Sequence, residues 1–188
     1  MKVLVGVSQR HVHLTKEDVK MLFGDNYELN KKNDLYQPGQ YACNEKVILK
    51  GAKGSISDVR VLGPERDKTQ VEVTKTDCYR FGIDAPVRNS GDLDDASEIT
   101  IIGPNGEITK NAAIIAARHL HATPEDAKKY GFEGKEFVTL VIGGEKPGIL
   151  ENVYVRISDK FSYEVHLDTD DANAFLIKNG DEAEIIVK

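Results

Sequence analysis

The sequence lacks several features that would place it in a familiar class. Of its 188 residues only two are cysteines, Cys43 and Cys78, and they form no CxxC pair, so we do not expect a disulfide framework. No apolar run reaches the roughly 20 residues that a membrane-spanning helix needs. The net charge is −6 with no broad basic stripe, which argues against binding nucleic acid or an anionic membrane. These absences predict a cytoplasmic globular protein with reduced thiols.

Sequence motifs for several common chemistries are also missing. The chain contains no GxGxxG, no P-loop and no GxSxG, so dinucleotide binding, nucleoside-triphosphate binding and serine hydrolysis have no support. With 188 residues, 40% hydrophobic and 30% charged, it has the composition of one large or two small soluble domains.

Short segments rich in valine and isoleucine dominate the chain and predict a mostly β protein. They are separated by Gly, Pro and Asn turns, and many short strands at close spacing favour barrels or sandwiches. Capping sequences predict three short helices, at 15–23, 123–130 and 170–177, the first two opened by capping boxes. The predicted strands are 2–7, 46–49, 58–62, 70–74, 98–102, 136–142, 153–157, 163–167 and 182–187.

The five histidines are the most informative residues. Four of them form two HxH pairs in closely similar surroundings, RHVHLTKED at 10–18 and RHLHATPED at 118–126. Residues i and i+2 of a strand project to the same face, so each pair presents two imidazoles side by side. Imidazole is a common ligand of zinc and similar ions. Two hydrogen-bonded histidines are the alternative interpretation of either pair alone.

The internal repeat extends to a third ligand in each half. A shift of 94 residues places Glu72 opposite His166 and also matches the flanking residues Asp77 and Asp171. Three protein ligands with one open position are typical of catalytic zinc sites. The repeat therefore predicts a duplicated two-metal site with the ligands His11, His13 and Glu72 in one half and His119, His121 and His166 in the other.

Three arginines lie near these motifs. Arg66 is the candidate for binding phosphate, because its planar guanidinium suits that anion. Arg10 and Arg118 each directly precede an HxH pair and would point to the opposite face of the strand. They would then support the metal site or pair with surface carboxylates.

Six segments of the chain, in order, resemble the PduL-type phosphate propanoyltransferases, or phosphotransacylases. This family interconverts acyl-CoA plus phosphate with acyl phosphate plus CoA. The resemblance implies two zinc ions on the six ligands named above and a phosphate contact at Arg66. The segments are 8–14, 37–41, 59–72, 86–93, 117–122 and 165–173. The CoA contacts that the resemblance implies are Ser8, Lys32, Arg60, Leu62 and Asn173, with Lys32 placed by looser local spacing.

The resemblance also implies a fold and a setting. The fold is two small β-barrels related by internal duplication and capped by short α-helices, with the first strand packed into the C-terminal barrel. The barrels would comprise residues 10–117 and residues 1–9 with 118–188. Family members targeted to microcompartments carry an N-terminal extension, whereas here the first predicted strand begins at Lys2. We therefore expect a free cytoplasmic enzyme, and a homodimer stays open.

The sequence thus predicts a two-zinc phosphate acyltransferase acting on acetyl-CoA or propanoyl-CoA. The ion at His119, His121 and His166 would hold phosphate together with Arg66, and the other ion would hold the CoA sulfur, although the reverse assignment is equally open. A binuclear zinc hydrolase of a phosphate or acyl ester is the alternative enzyme. A metal-stabilised barrel that only binds partners is the non-enzymatic alternative.

Overall fold

The computed structural model describes residues 1–187, which form fourteen β-strands and four short α-helices. The chain divides into two compact units, which we call the first unit (residues 10–116) and the second unit (residues 1–9 and 117–188). The boundary lies one residue from the predicted one, because Ala117 clusters with the second unit. Among the described residues, no helix is long and apolar enough to cross a membrane.

The first unit is a closed six-stranded barrel. Its strand order is β4-β5-β2-β6-β9-β8, and the barrel closes because β8 pairs with both β9 and β4. Two further strands lie outside this closed cycle: β3 pairs with β4, and β7 pairs with β9. Its elements are β2 (His11–His13), α1 (Lys16–Phe23), β3 (Lys31–Asp34), β4 (Tyr41–Lys50), β5 (Ser55–Gly63), β6 (Gln70–Glu72), α2 (Lys75–Phe81), β7 (Val87–Arg88), β8 (Ser97–Ile102) and β9 (Glu107–Ala116).

The second unit is also a closed six-stranded barrel, with the order β1-β13-β10-β12-β11-β14. The first strand of the chain pairs with β13 and β14, which confirms its predicted place in the C-terminal barrel. The elements of this unit are β1 (Lys2–Ser8), β10 (His119–Ala122), α3 (Pro124–Tyr130), β11 (Phe137–Ile142), β12 (Gly148–Ile157), β13 (Glu164–Asp168), α4 (Thr169–Phe175) and β14 (Glu182–Ile186).

Both barrels have the same order of parallel and antiparallel pairs. Each HxH strand, β2 or β10, lies between one parallel and one antiparallel neighbour. Each HxH strand is preceded in sequence by a strand that belongs to the other unit. Strand β1 precedes β2 but completes the barrel of the second unit, and β9 precedes β10 but completes the barrel of the first unit. The duplication therefore includes a reciprocal exchange of one strand.

Each barrel has its own hydrophobic core. In β4, the buried residues Val47 and Leu49 alternate with exposed neighbours, which is the period expected of a strand with one face inside. Leu22 of α1 and Phe81 of α2 are fully buried in the core of the first unit. In the second unit the largest fully buried side chain is Phe132, which packs with the inward residues of the strands. Burial of these apolar side chains stabilises each barrel.

One of the two predicted capping boxes forms in full. Thr123 and Asp126 exchange both hydrogen bonds at the start of α3. At α1, Thr15 caps the helix, but Asp18 does not bond back to it. The buried Asp18 carboxylate instead accepts from Lys110 Nζ at 2.6 and 2.7 Å and from the Thr69 hydroxyl.

A short helix and a ten-residue strand are among the elements that the sequence patterns did not predict. Helix α2 begins after Thr74, whose capping box with Asp77 is complete, so the predicted strand 70–74 ends at Glu72. Strand β9 is ten residues long and was not predicted. The last helix, α4, ends at Phe175 rather than at the predicted Ile177.

Candidate functional site

In the first unit, strand register brings three predicted ligands together. His11 lies directly opposite Glu72 on the antiparallel neighbour β6, and His13 follows on the same face of β2. The His11 and His13 rings are 5.0 Å apart between centroids, and His11 Nε2 lies 3.4 Å from Glu72 Oε2. All three side chains are buried, and their ligand atoms lie within 4.8 Å of one another. We call this group the first cluster.

The second unit repeats this arrangement with three imidazoles, which we call the second cluster. His119 lies directly opposite His166 on β13. The ring centroids of His119, His121 and His166 are 4.7, 4.8 and 5.0 Å apart. Three imidazoles bound to one tetrahedral zinc at the usual Zn–N length of about 2.0–2.1 Å have centroids roughly 5 Å apart. The ring spacing is therefore compatible with such an ion, while among the described residues the ligand atoms found within 4.8 Å of one another are those of the first cluster.

Buried ring nitrogens without hydrogen-bond partners are available to a metal in both clusters. Among the described residues, no hydrogen-bond partner reaches His13 Nδ1 or either ring nitrogen of His121. Burial, together with the neighbouring imidazole, lowers the pKa of His13 well below its ordinary value and that of His121 to about 2. Both rings are thus neutral at pH 7, which is the form that binds metals. A buried polar atom without a hydrogen bond is costly, and an ion would satisfy it.

A hydrogen-bonded group that we did not predict surrounds Glu72. Gln70 Nε2 donates to Glu72 Oε1 at 2.6 Å and to Ser90 Oγ at 2.9 Å, while its carbonyl oxygen accepts from the Gly91 N–H at 2.7 Å. Gln70 therefore joins β6 to the segment after β7. The i, i+2 rule that identified the HxH pairs could have found it, because Gln70 shares a face with Glu72.

A second unpredicted residue, Glu164, contacts the second cluster. Its Oε2 lies 2.6 Å from His166 Nε2, and its side chain is buried. His119 is oriented differently, with Nδ1 at 2.8 Å from the carbonyl oxygen of Ala117. Glu164 stands two residues before His166, as Gln70 stands two residues before Glu72, so the same i, i+2 rule applies.

Arg66 lies beside the first cluster. Its Nη1 donates to Ser90 Oγ at 3.3 Å, and its main-chain N–H donates to the carbonyl oxygen of Leu14 at 2.9 Å. The Arg66 charge contributes to the lowered pKa of His13. Ser90, another residue that we did not predict, thus connects Arg66 with Gln70.

Arg10 and Arg118, which precede the HxH pairs, both form ion pairs with aspartates. Arg10 Nη2 lies 2.8 Å from Asp77 Oδ1, and Arg118 Nε lies 3.2 Å from Asp171 Oδ2. Each aspartate lies in the first turn of the helix that follows the strand of the third ligand. Both arginines therefore connect an HxH strand to the start of a helix.

Three of the expected CoA contacts lie in the first unit. Arg60 on β5 is the direct strand partner of His11, and its Nη1 donates to the carbonyl oxygens of Cys43 and Asn44 at 2.9 and 3.2 Å. The backbone of Leu62 forms a hydrogen bond with His13. Lys32 is exposed on β3, where the pairing with β4 is irregular. Arg60 and Leu62 therefore border the first cluster.

The other two expected CoA contacts lie in the second unit. Ser8 ends β1 and is the strand partner of Asp168, the N-cap residue of α4. Asn173 is exposed within α4, next to the buried Ala172. Strand pairing thus brings Ser8 to the start of the helix that carries Asn173.

Two barrels with one strand order, each with a cluster of three side chains that could hold a metal, define a duplicated double-barrel protein. A family model described as phosphate propanoyltransferase matches residues 4–178. Three similar proteins bear that same name. The one from Thermotoga maritima is 48% identical over 98% of this chain and 89% of its own length. Those from Priestia megaterium and Rhodopseudomonas palustris are 53% and 46% identical, over 95% and 100% of this chain and 83% of each relative. The chain belongs to the phosphate propanoyltransferase family.

Proposed function

We propose that this protein is a phosphate acyltransferase that converts acyl-CoA and phosphate into acyl phosphate and CoA, and the reverse. Short acyl groups, acetyl and propanoyl, are the proposed substrates. The observation that carries the proposal is the first cluster, where three buried ligand side chains lie beside Arg66. Family membership supports the reaction class.

We propose that each cluster holds one zinc ion. The first cluster offers two imidazoles and one carboxylate, and the second offers three imidazoles, which are donor sets that zinc prefers. Zinc held by these residues would supply Lewis acidity, which stabilises a thiolate and polarises phosphate oxygens. The lowered pKa values of His13 and His121 support this proposal, because few protons need to be displaced at neutral pH.

Arg66 is proposed to bind phosphate. Its guanidinium can form two parallel hydrogen bonds to an oxyanion, and it neutralises part of the charge that makes phosphate a weak nucleophile. Ser90 Oγ already accepts hydrogen bonds from Arg66 and Gln70, so its own hydroxyl proton is available to a phosphate oxygen.

CoA is proposed to place its sulfur at the first cluster. Arg60 and Leu62, two of the expected CoA contacts, border that cluster on β5. Arg66 and Ser90, which lie beside the same cluster, are then proposed to orient the phosphate. Holding both reactants in attack geometry can remove roughly 7–11 kcal/mol of the entropic barrier.

The proposed transfer is direct. A phosphate oxygen attacks the thioester carbonyl carbon, the carbon–sulfur bond breaks, and the electron pair leaves with the CoA thiolate, which takes up a proton. Neither thiol is suited to form an acyl-enzyme: burial raises the pKa of Cys43 to about 12 and also raises that of Cys78. Ser90 accepts two hydrogen bonds at its oxygen, an arrangement that does not activate it for attack.

The deciding experiment measures release of free thiol from acetyl-CoA and propanoyl-CoA with and without phosphate. We expect release only with phosphate or arsenate, and formation of acyl-CoA when acyl phosphate and CoA are supplied. Steady release without phosphate, at a rate comparable to that with phosphate, would instead support the binuclear zinc hydrolase.

A further inference from the structure

The position two residues before the third ligand is occupied by different side chains in the two halves. Gln70 precedes Glu72 on β6, and Glu164 precedes His166 on β13. Strand register makes them equivalent, since Gln70 is the partner of His13 and Glu164 is the partner of His121. Both side chains are buried. Because both barrels bury a polar side chain at this place, we infer that it acts on the neighbouring ligand.

In the first cluster this neighbour is a donor. The Gln70 amide donates to Glu72 Oε1, and the other carboxylate oxygen, Oε2, is the one that lies 3.4 Å from His11 Nε2. The amide thus occupies one oxygen of the ligand and leaves the other directed at the cluster.

In the second cluster the neighbour is an acceptor. A carboxylate has no proton to donate, so at 2.6 Å the hydrogen bond must run from His166 Nε2–H to Glu164 Oε2. This bond fixes the tautomer of His166 and leaves Nδ1 for a metal. For His119 the bond from Nδ1 to the carbonyl oxygen of Ala117 leaves Nε2 instead.

Strand β1 provides the space that Glu164 occupies. Gly6 is the strand partner of His166, and a Cβ at Gly6 would lie 2.8 Å from Glu164 Oε1, 3.0 Å from its Cδ and 3.3 Å from His166 Cδ2. The equivalent position in the first unit, opposite Glu72, is Ile114, so a full side chain is accommodated there. The lack of a side chain at Gly6 therefore leaves room for the Glu164–His166 pair.

We propose that Glu164 is a positioning residue that holds His166 with Nδ1 toward the metal, and that Gln70 is its counterpart for Glu72. Each centre then contains one carboxylate, as a ligand in the first cluster and as the hydrogen-bond partner of a ligand in the second. This inference rests on the metal centres of the proposed function. Such outer partners of metal ligands typically change metal affinity 10–100-fold when removed.

The first test identifies the metal-binding nitrogen in the zinc-loaded wild-type protein. Long-range ¹H–¹⁵N spectra of the imidazole rings distinguish Nδ1 from Nε2 coordination. We expect Nδ1 for His166 and Nε2 for His119. Zinc bound to Nε2 of His166 would overturn the proposal, because Glu164 could not then accept a proton from that atom.

The second test measures zinc affinity by chelator competition in Glu164→Gln. Gln keeps the shape of the side chain but removes the charge that favours the Nε2–H tautomer. We expect a 10–100-fold loss of affinity at the second centre and none at the first. The matched control is Glu184→Gln, which makes the same change at an exposed position of the same unit. Unchanged affinity in Glu164→Gln would overturn the proposal.

A third variant, Gly6→Ala, changes no charge and displaces the Glu164 carboxylate first, because that group would lie nearest to the added methyl group. Like Glu164→Gln, it should lower zinc affinity at the second centre. An effect confined to the first centre would count against the proposal. Failure of the metal centres themselves is recognised separately, since the wild type would then bind fewer than two zinc ions. Failure of this inference alone leaves two ions bound with Glu164→Gln behaving as wild type.

Discussion

Arg10 Nε lies 2.9 Å from both carboxylate oxygens of Asp77 and joins the start of the HxH strand to the first turn of α2. The Asp77 side chain is only 3% exposed and also accepts from the Thr74 N–H that opens the helix. Arg118 and Asp171 form the equivalent pair in the second unit, but with a longer contact and an aspartate that is 23% exposed. The two barrels therefore use the same ion pair with different degrees of burial.

The first prediction follows from that difference. Arg10→Met removes the cation from a buried carboxylate and should lower the free energy of unfolding by about 2 kcal/mol. Arg118→Met should cost about 1 kcal/mol or less, because its partner is better solvated. Urea unfolding of both variants checks the order, with Arg88→Met, whose acidic partners are exposed, as the control. Equal losses in all three would contradict the prediction.

The metal content of ligand variants is the second prediction. We expect about two zinc ions per chain, as proposed above. His13→Ala and His121→Ala should each lose one ion and nearly all activity, because an incomplete ligand set loses both affinity and geometry. Elemental analysis of each purified variant provides the measurement. A full metal complement in either variant would show that its histidine is not a ligand.

The third prediction concerns pH and the metal-free protein. His121 has a folded-state pKa of about 2 against an ordinary value of 6.5, and the pKa of His13 is also lowered well below that value. Below pH 6.5 the unfolded chain takes up protons that the folded chain refuses. Each histidine then costs up to about 1.4 kcal/mol of stability per pH unit.

Stability should therefore be complete above about pH 6.5 and should fall as the pH is lowered further. Urea unfolding of the metal-free protein at pH 7 and pH 5 measures this loss. His121→Phe removes one titrating group and should show a smaller difference between the two pH values. If the variant and the wild type lose the same amount, His121 is not the source of the acid sensitivity.

Arg66 gives the fourth prediction. Arg66→Lys keeps the charge but loses the planar pair of donors, so the KM for phosphate should rise and kcat should fall. Zinc content should stay at the wild-type value, which separates loss of phosphate binding from damage to the cluster. An unchanged dependence on phosphate concentration would show that Arg66 does not bind the substrate.

Local patterns predicted a mostly β protein, the internal repeat grouped the six candidate ligands, and the two-barrel arrangement was implied by the family resemblance. The HxH pairs are visible because two imidazoles at i and i+2 need only one short strand. Glu72 and His166 came from the shift between the repeats, and the strand register places them opposite His11 and His119. Metal binding at either group stays a prediction.

The features that were missed depend on distant parts of the chain. In strand β9, Lys110 to Ala113 separate Ile108 from Ile114 and Ile115, so the strand lacks the continuous valine and isoleucine pattern of the other strands. Helix α2 has seven residues, and Arg10, far away in sequence, bonds to its first turn. At Glu164, a glutamate in a strand looks like an ordinary solvent-facing residue until His166 is known to lie beside it.

The exchange of strands between the halves sets an order for biosynthesis. All the strands of the first unit's barrel lie within residues 10–116, so this barrel can close while the rest of the chain is still being made. Strand β1 is made before the whole first unit, yet its partners β13 and β14 are made after that unit, and the Met1 ammonium donates to the carbonyl oxygen of Ile185. Strand β1 therefore has no native strand partner until β13 has been made, and the second barrel closes only after β14 has followed.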